Sequence, residues 1–444
     1  MFPKPNVDLS VNFCGVKFPH PFILAAAPPT DDIDMVRDAF RLGWAGAVLK
    51  TTAVERMPVD LAYPMMSGID YGPRRLMGLG NIDLISEHHI DVIEKRIEQL
   101  KTEFSDKRII ASVSGGEKED WQEVVRRVRL AGADMIECSF SCPQGSLGLK
   151  PGMMLGQDPV ASAKVIDWIK EASGDVPVII KLTPQVDDIT EIAAAVKGAG
   201  ADAVCVGNTL PSLMGIDLDT WQPIPMVGNK STYSGLSGPA VKPISLRCIA
   251  QVSKEVGISI AGSGGAISWT DALEFMLLGA NVVEFCTAVM HYGADIITEL
   301  IEGMTFYLER RGVGSIKEII GKSLDHIVSH DDLPREQWRS QIDIDRCVRC
   351  GLCEIVCHDG AHRAITTDED RTPIVDNEKC VGCGLCPTIC PVKCISMVKY
   401  KPEIHDEVGA EGADIHSDGE ESTVPLDESE EESTQAKDEA KKEK

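Results

Sequence analysis

Between about residues 20 and 310, short apolar runs alternate with longer stretches whose apolar positions recur at helical spacing. Eight runs read as buried strands: 22–26, 46–50, 109–113, 135–140, 178–181, 203–206, 259–261 and 282–286. The amphipathic stretches 121–131, 160–173, 189–198, 244–256 and 269–278 read as helices between them. Glycine often follows these helices (Gly43, Gly132, Gly174, Gly200, Gly257, Gly279), as helix ends prefer. Gly-Ala-Asp or Gly-Ala-Asn recurs at 132–134, 200–202 and 279–281, each time leading into a strand. Eight βα units in about 290 residues predict a (β/α)8 TIM barrel rather than an open doubly wound sheet. Residues 7–18 alternate ahead of the barrel, with Cys14-Gly15 near their centre, and predict a hairpin that plugs its N-terminal end.

The pattern changes after the barrel. The expected organisation is a barrel with its hairpin over 1–310, a polar helical connection over 311–341, a cysteine-rich domain over 342–400 and a tail over 401–444. The tail is almost free of large apolar residues. Its 16 acidic and 4 basic residues after 402 carry nearly half of the net charge of −25. That composition predicts a disordered, solvating extension, with docking to a basic partner as the alternative. The acidic balance speaks against nucleic-acid binding. No 18-residue apolar run occurs, so no membrane span is expected, and the first residues lack the basic and apolar regions of a signal peptide. Fifteen cysteines with cluster spacing fit a reducing, cytoplasmic setting.

Eight of those cysteines form two runs. Cys347, Cys350, Cys353 and Cys357 have the spacing C-x2-C-x2-C-x3-C, and Cys380, Cys383, Cys386 and Cys390 repeat it, with Pro391 after the last. This is the spacing of a bacterial two-cluster ferredoxin, in which the fourth cysteine of each run ligates the other run's cluster. The expected ligand sets are Cys347, Cys350, Cys353 and Cys390 for one [4Fe–4S] cluster, and Cys357, Cys380, Cys383 and Cys386 for the second. Structural zinc and disulfides are the other readings of such cysteines. The first run is followed by His358 where the pattern has proline, which removes no ligand. Two clusters in series would conduct single electrons. A domain this small would depend on them for cross-linking in place of a core.

In a barrel of this kind, chemistry lies at the C-terminal ends of the strands. Ala26 stands at the end of the first strand run, Lys50 and Thr51 at the second, Ser139 at the fourth and Lys181 at the fifth. Asn208 and Thr209 follow the sixth, Gly264 and Gly265 the seventh, and Thr287 the eighth. Glycines after strand 7 free backbone N–H groups for a phosphate, and the helix beginning at Trp269 would add its dipole. Two lysines at strand ends would stabilise the negative charge of a reduced flavin. Read otherwise, they are ordinary surface lysines.

Residues 1–400 resemble the barrel and C-terminal ferredoxin portion of the dihydropyrimidine dehydrogenases, whose barrel is shared with dihydroorotate dehydrogenases. The motifs that carry the resemblance are Leu49-Lys50-Thr51, Ser141-Cys142-Pro143, Gly156-Gln157-Asp158-Pro159, Lys181-Leu182-Thr183-Pro184, Asn208-Thr209, Leu213-Met214-Gly215, Ser234-Gly235-Leu236-Ser237-Gly238 and the cysteine pair of runs. The resemblance implies FMN in the barrel, contacted by Lys50, Lys181, Ser237, Gly265 and Thr287. It implies reduction of the C5–C6 double bond of uracil or thymine, with Asn208 and Thr209 binding the ring. Cys142 would be the general acid, just ahead of a glycine- and proline-rich loop over 144–155 that reads as a lid.

Two positions depart from the family. Ser139 and Glu117 stand where the family has pyrimidine-binding asparagines. A site that pairs specific polar groups discriminates strongly against rings that leave them unpaired. The same machinery acting on another conjugated ring, or oxidising dihydroorotate, is therefore an alternative. A non-catalytic electron-transfer adaptor is another. No G-x-G-x-x-G opens a helix after a strand. The expected electron donor is accordingly a separate FAD- and NAD(P)H-binding subunit or a ferredoxin, in a homodimer or heterotetramer.

Overall fold

The computed structural model describes residues 7–54, 59–70, 76–141 and 154–400. Cys142, most of the 144–155 loop and the 401–444 tail lie outside the described residues. The chain forms two compact units, Met1–Ser329 and His330–Lys444.

In the first unit eight parallel strands close on themselves, each paired with the next and the eighth with the first. They are β1 Phe22–Leu24, β2 Gly46–Ala53, β3 Arg108–Ser114, β4 Met135–Ser139, β5 Val178–Leu182, β6 Ala203–Val206, β7 Ser259–Ser263 and β8 Val282–Phe285. The helices are α1 Ile33–Leu42, α2 Ile90–Glu103, α3 Lys118–Leu130, α4 Pro159–Ser173, α5 Ile189–Gly198, α6 Lys242–Glu255, α7 Trp269–Leu277, α8 Thr287–Tyr292 and α9 Ile296–Arg310. This is the TIM barrel that the apolar pattern predicts. Asp32, Asp158 and Asp188 start α1, α4 and α5 by accepting backbone N–H groups of the first turn. Trp44, Trp121, Phe22, Phe140 and Phe285 are fully buried in the layer between strands and helices.

The repeated Gly-Ala-Asp/Asn has a physical explanation. Gly132, Gly200 and Gly279 end helices at φ of 95°, 100° and 107°, which only glycine adopts without strain. The following Asp134, Asp202 or Asn281 clasps the start of the preceding strand. Its side chain accepts from Ile109, Val178 or Ile260 N–H at 2.8, 2.8 and 2.9 Å. Its own N–H donates to the carbonyl of the same residue at 2.8, 3.0 and 2.8 Å. The register of β3 with β4, β5 with β6 and β7 with β8 is thus fixed at the N-terminal end.

The predicted hairpin is present as strands Val11–Phe13 and Val16–Phe18, turning through Cys14 and Gly15, both at positive φ. Phe13 and Phe18 are buried, Cys14 Sγ meets the Asp202 carbonyl at 3.3 Å, and Arg108 Nε donates to the Lys17 carbonyl at 2.9 Å. The hairpin therefore lies over strand starts.

Two features differ from the sequence expectation. The strands Met66–Asp70, Leu76–Asn81, Leu210–Ser212 and Ser234–Ser237 form an antiparallel sheet on the loops after β2 and β6. Its glycines hide it from propensity, yet they are required. A Cβ on Gly80 would lie 2.3 Å from Met214, and one on Gly235 would lie 2.4 Å from Thr209 Oγ1. The expected helical connection over 311–341 holds only the 3-10 turns Ile316–Glu318 and Leu324–His326 before the strand Trp338–Ile342. Residues up to Ser329 belong to the first unit: Ile316 is buried, and Gly321 and Ser323 donate to the carbonyls of Met276 and Leu277.

In the second unit, Trp338–Ile342 pairs antiparallel with Ile395–Lys399, and Ile365–Thr367 with Pro373–Val375. Two helices, α10 Leu352–Gly360 and α11 Leu385–Ile389, each begin after a left-handed glycine, Gly351 or Gly384. The two cysteine runs thus share one local conformation. Among the described residues, no helix is long and apolar enough to cross a membrane.

Candidate active site and cysteine cavities

Among the described residues, the barrel residues singled out in sequence lie in the C-terminal halves of the strands or in the connections that follow them, Ser237 on the antiparallel sheet after β6. Lys50 on β2 is buried and pairs with half-buried Asp83, which follows the strand Leu76–Asn81. Its neighbour Thr51 shares a 2.8 Å hydroxyl contact with Ser112 of β3. Ala26, just beyond β1, is half-buried. Ser139 ends β4 and is buried. Glu117 follows β3 at the start of α3 and is exposed, its N–H donating to Asp120 Oδ2 at 3.2 Å.

Asn208 bridges two strand ends. Its amide Nδ2 donates to Ser141 Oγ, the residue before Cys142, while its Oδ1 accepts from Thr209 N–H at 2.7 Å. Gly207, at φ 125°, permits this turn: a Cβ there would stand 2.0 Å from the Ser263 carbonyl oxygen.

Lys181 of β5 is fully inside the barrel. Its Nζ donates to Glu137 Oε1 of β4 at 3.2 Å and to Glu284 Oε2 of β8 at 3.1 Å. Burial opposes the ammonium charge, but Cys205, Glu137 and Glu284 together outweigh it and hold the lysine protonated, well above its ordinary range. Burial, then the Glu284 charge, push the Glu137 carboxyl up.

The phosphate end is built by close approach. Gly264 and Gly265 have φ of 100° and 94°, and a Cβ on Gly265 would meet the Lys242 backbone nitrogen at 2.6 Å. Thr287 Oγ1 donates to Ser237 Oγ at 3.0 Å, and Ser237 Oγ donates to the Leu79 carbonyl at 3.0 Å. The expected contribution of the Trp269 helix is altered. Ser268 caps α7, and Asp271 in its first turn accepts from Ile267 N–H and binds Lys242. That helix start already carries the protein's own carboxylate, so the backbone of the glycine turn against α6 is the better anion cradle. The two positive-φ glycines, the hydroxyl pair and the two buried lysines fit a phosphorylated flavin.

Asp83, Glu137 and Glu284 were not singled out from sequence. The signal was there for the two glutamates: each interrupts an otherwise apolar strand, in MIECS and VVEF, and a buried charge needs a partner.

In the second unit the eight cysteines line two separate cavities. One is lined by Cys347, Cys350, Cys353 and Cys390, with Cys394 alongside. The other is lined by Cys357, Cys380, Cys383 and Cys386. The fourth cysteine of each run thus lines the cavity of the other run. Backbone N–H groups of Ala364 and Arg349 point at Cys357 and Cys347 sulfurs at 3.2 and 3.4 Å. The apolar core of this unit is largely these cysteines with Ala364 and Ile365, so the cavities fit clusters that complete it.

A barrel with a flavin-type mouth and an appended iron–sulfur domain defines an oxidoreductase subunit. Residues 8–308 match the dihydroorotate dehydrogenase family, to which the chain belongs, and residues 340–397 match the 4Fe-4S dicluster domain. The chain is 39% identical over 401 residues to the NAD-dependent dihydropyrimidine dehydrogenase subunit PreA of Escherichia coli (strain K12), covering 89% of this chain and 97% of that protein. It is 34% identical over 342 residues to the chloroplastic dihydropyrimidine dehydrogenase (NADP(+)) of Arabidopsis thaliana, covering 74% and 80%. It is 35% identical over 316 residues to the catalytic subunit of dihydroorotate dehydrogenase B (NAD(+)) of Pyrococcus abyssi, covering 71% and 99%.

Proposed function

We propose that the protein reduces the C5–C6 double bond of a pyrimidine such as uracil or thymine, using FMN in the barrel mouth and two [4Fe–4S] clusters in the second unit. The observation that most supports this is the convergence at the strand ends of two buried lysines, the Asn208–Thr209 pair and the Gly265–Ser237–Thr287 group, in a chain with two cysteine cavities. When bound, FMN supplies hydride and the clusters supply single electrons. The remaining roles fall to the chain. The Asn208 amide and Thr209 hydroxyl match the alternating donors and acceptors of an imide edge. Cys142 donates the proton to the second carbon, with Asn208 anchoring the preceding Ser141. Lys50 and Lys181 favour negative charge on the bound ring. The Escherichia coli relative is named a subunit, which supports a separate FAD- and NAD(P)H-binding partner, or a ferredoxin, as electron donor in a homodimeric or heterotetrameric assembly.

A second reading rests on Ser139 and Glu117. A short buried hydroxyl and an exposed carboxylate in place of amides favour a different conjugated ring, with the same acid and cofactors. The test uses protein pre-reduced without oxygen and mixed with uracil, thymine, orotate and other unsaturated heterocycles, while flavin absorbance is followed. Rapid reoxidation by uracil or thymine supports the pyrimidine reading. Reoxidation by another ring alone moves the substrate. Silence across the panel, with the donor partner present, favours the electron-transfer adaptor.

A further inference from the structure

The mouth of the barrel contains more negative charge than its lysines require. Lys181 meets two carboxylates, from β4 and β8, and both are completely shielded from solvent. Each uses one oxygen on the ammonium. The other oxygens, Glu137 Oε2 and Glu284 Oε1, are buried and have no hydrogen-bond donor among the described residues. A buried carboxylate oxygen without a donor is costly, and two in one cluster more so, because the carboxylates also repel each other. A carboxylate oxygen from each lies within 4.8 Å of the other and of Cys205 Sγ. A cation would suit this trio, and the Lys181 ammonium is already that cation.

We propose that Glu137 and Glu284 share one proton, which joins their two orphaned oxygens and leaves a neutral carboxyl–carboxylate–ammonium triad that clamps Lys181. One added proton turns one acid into a donor and the other into its acceptor, satisfying both oxygens at once. The net charge of the triad falls from −1 to zero, the state a water-excluded barrel interior favours. Two of the three N–H groups of Lys181 are committed to the carboxylates, which fixes the direction of the third. Glu284 is thereby a positioning residue: it acts on the ring through Lys181. The groups facing the triad are Cys205 from β6, Cys286 beyond β8 and Lys50 from β2, with Cys138 next to Glu137 in the chain. Burial pushes the Cys205, Cys286 and Cys138 thiols up, so they carry no charge, and the Cys205 S–H that faces Glu284 is a weak donor that leaves the surplus carboxylate charge in place. The elevated Glu137 carboxyl agrees with this geometry.

The link to flavin chemistry rests on the reading that Lys181 faces the bound ring. The proton itself does not, and the experiment separates the two. Infrared difference spectra of the holoenzyme should show a buried carboxylic-acid C=O band that shifts in D2O and disappears in both Glu137→Gln and Glu284→Gln. In Glu284→Gln the amide replaces the acid with no change of net charge. The flavin midpoint potential at pH 7 should then match wild type, while the extra fall of potential that wild type shows at alkaline pH, as the shared proton leaves, is lost. Absence of the acid band in wild type overturns the proposal. So does a clearly more positive potential at pH 7 in Glu284→Gln, the signature of removing a full negative charge. If the band behaves as stated but neither protein shows the extra alkaline fall of potential, the proton stands and the placement of Lys181 against the flavin falls. Should Glu284→Gln fail to fold, the wild-type band, its D2O shift and Glu137→Gln decide.

Discussion

At the scale of single residues, the molecule spends its buried charges on a few pairs, and these make the sharpest tests. Lys50 is buried, the Asp83 side chain is only 9% exposed, and the two satisfy each other. Lys50→Met leaves Asp83 alone, and truncating one partner of a buried pair costs about 3–5 kcal/mol. The variant should melt earlier and purify with less flavin, whereas the double variant Lys50→Met with Asp83→Leu should regain much of the stability but not the flavin. Calorimetry beside flavin content checks both halves. Cys142→Ala tests the acid assignment. Turnover should fall by about 10²–10⁴-fold, the usual worth of a positioned acid, with flavin and cluster reduction unaffected in stopped-flow traces. Unchanged turnover would remove Cys142 from the mechanism.

Elements carry two further expectations. The turn after β7 exists because Gly265 has φ 94° and no room for a side chain against Lys242. Gly265→Ala should cost about 1–3 kcal/mol from backbone strain and displace the phosphate cradle, read as weaker FMN retention on dialysis. In the second unit the fourth cysteine of each run lines the other run's cavity. Cys357→Ser should therefore lower iron content by up to roughly half while spectroscopy of the remaining cluster reports the set containing Cys390. The opposite pattern, with the Cys347–Cys353 cluster lost, would reverse the crossing. The eight barrel strands and the iron–sulfur domain were legible because buried parallel strands are continuous apolar runs and cysteine spacing is a local code. The antiparallel sheet at the mouth was not, since its glycines are dictated by Met214 and Thr209, partners distant in sequence. Glu137, Glu284 and Asp83 were missed for a similar reason: a charge inside a strand announces that it has a partner but not which one.

For the molecule as a whole, one pH-sensitive joint is His20. Its Nε2 donates to the Gly43 carbonyl at 3.0 Å and its Nδ1 accepts from Phe22 N–H at 3.4 Å, so the neutral ring is already using both nitrogens. Burial, above all, lowers its pKa from 6.5 to about 4. The unfolded chain therefore binds a proton that the folded chain refuses. Stability from this residue is intact above pH ~6.5 and is lost progressively down to pH ~4, by about 3 kcal/mol in all. His20→Gln should lower stability at neutral pH and flatten this part of the acid dependence, measured as urea midpoints between pH 7 and pH 4.

His20 also completes a pattern. Three strand pairs are clasped by Asp134, Asp202 and Asn281, each accepting an N–H from the first or second residue of the earlier strand. The first pair has Ala45 at that place, and there Phe22 N–H goes to the imidazole instead. Four of the eight strand pairings thus carry such a link at the N-terminal end, and the first of them depends on a neutral imidazole. On acidification, amide exchange should rise first around β1 and β2 and spread to the other strands only later. The ring of strands would open at a seam placed by a single histidine, at the end of the barrel opposite its chemistry.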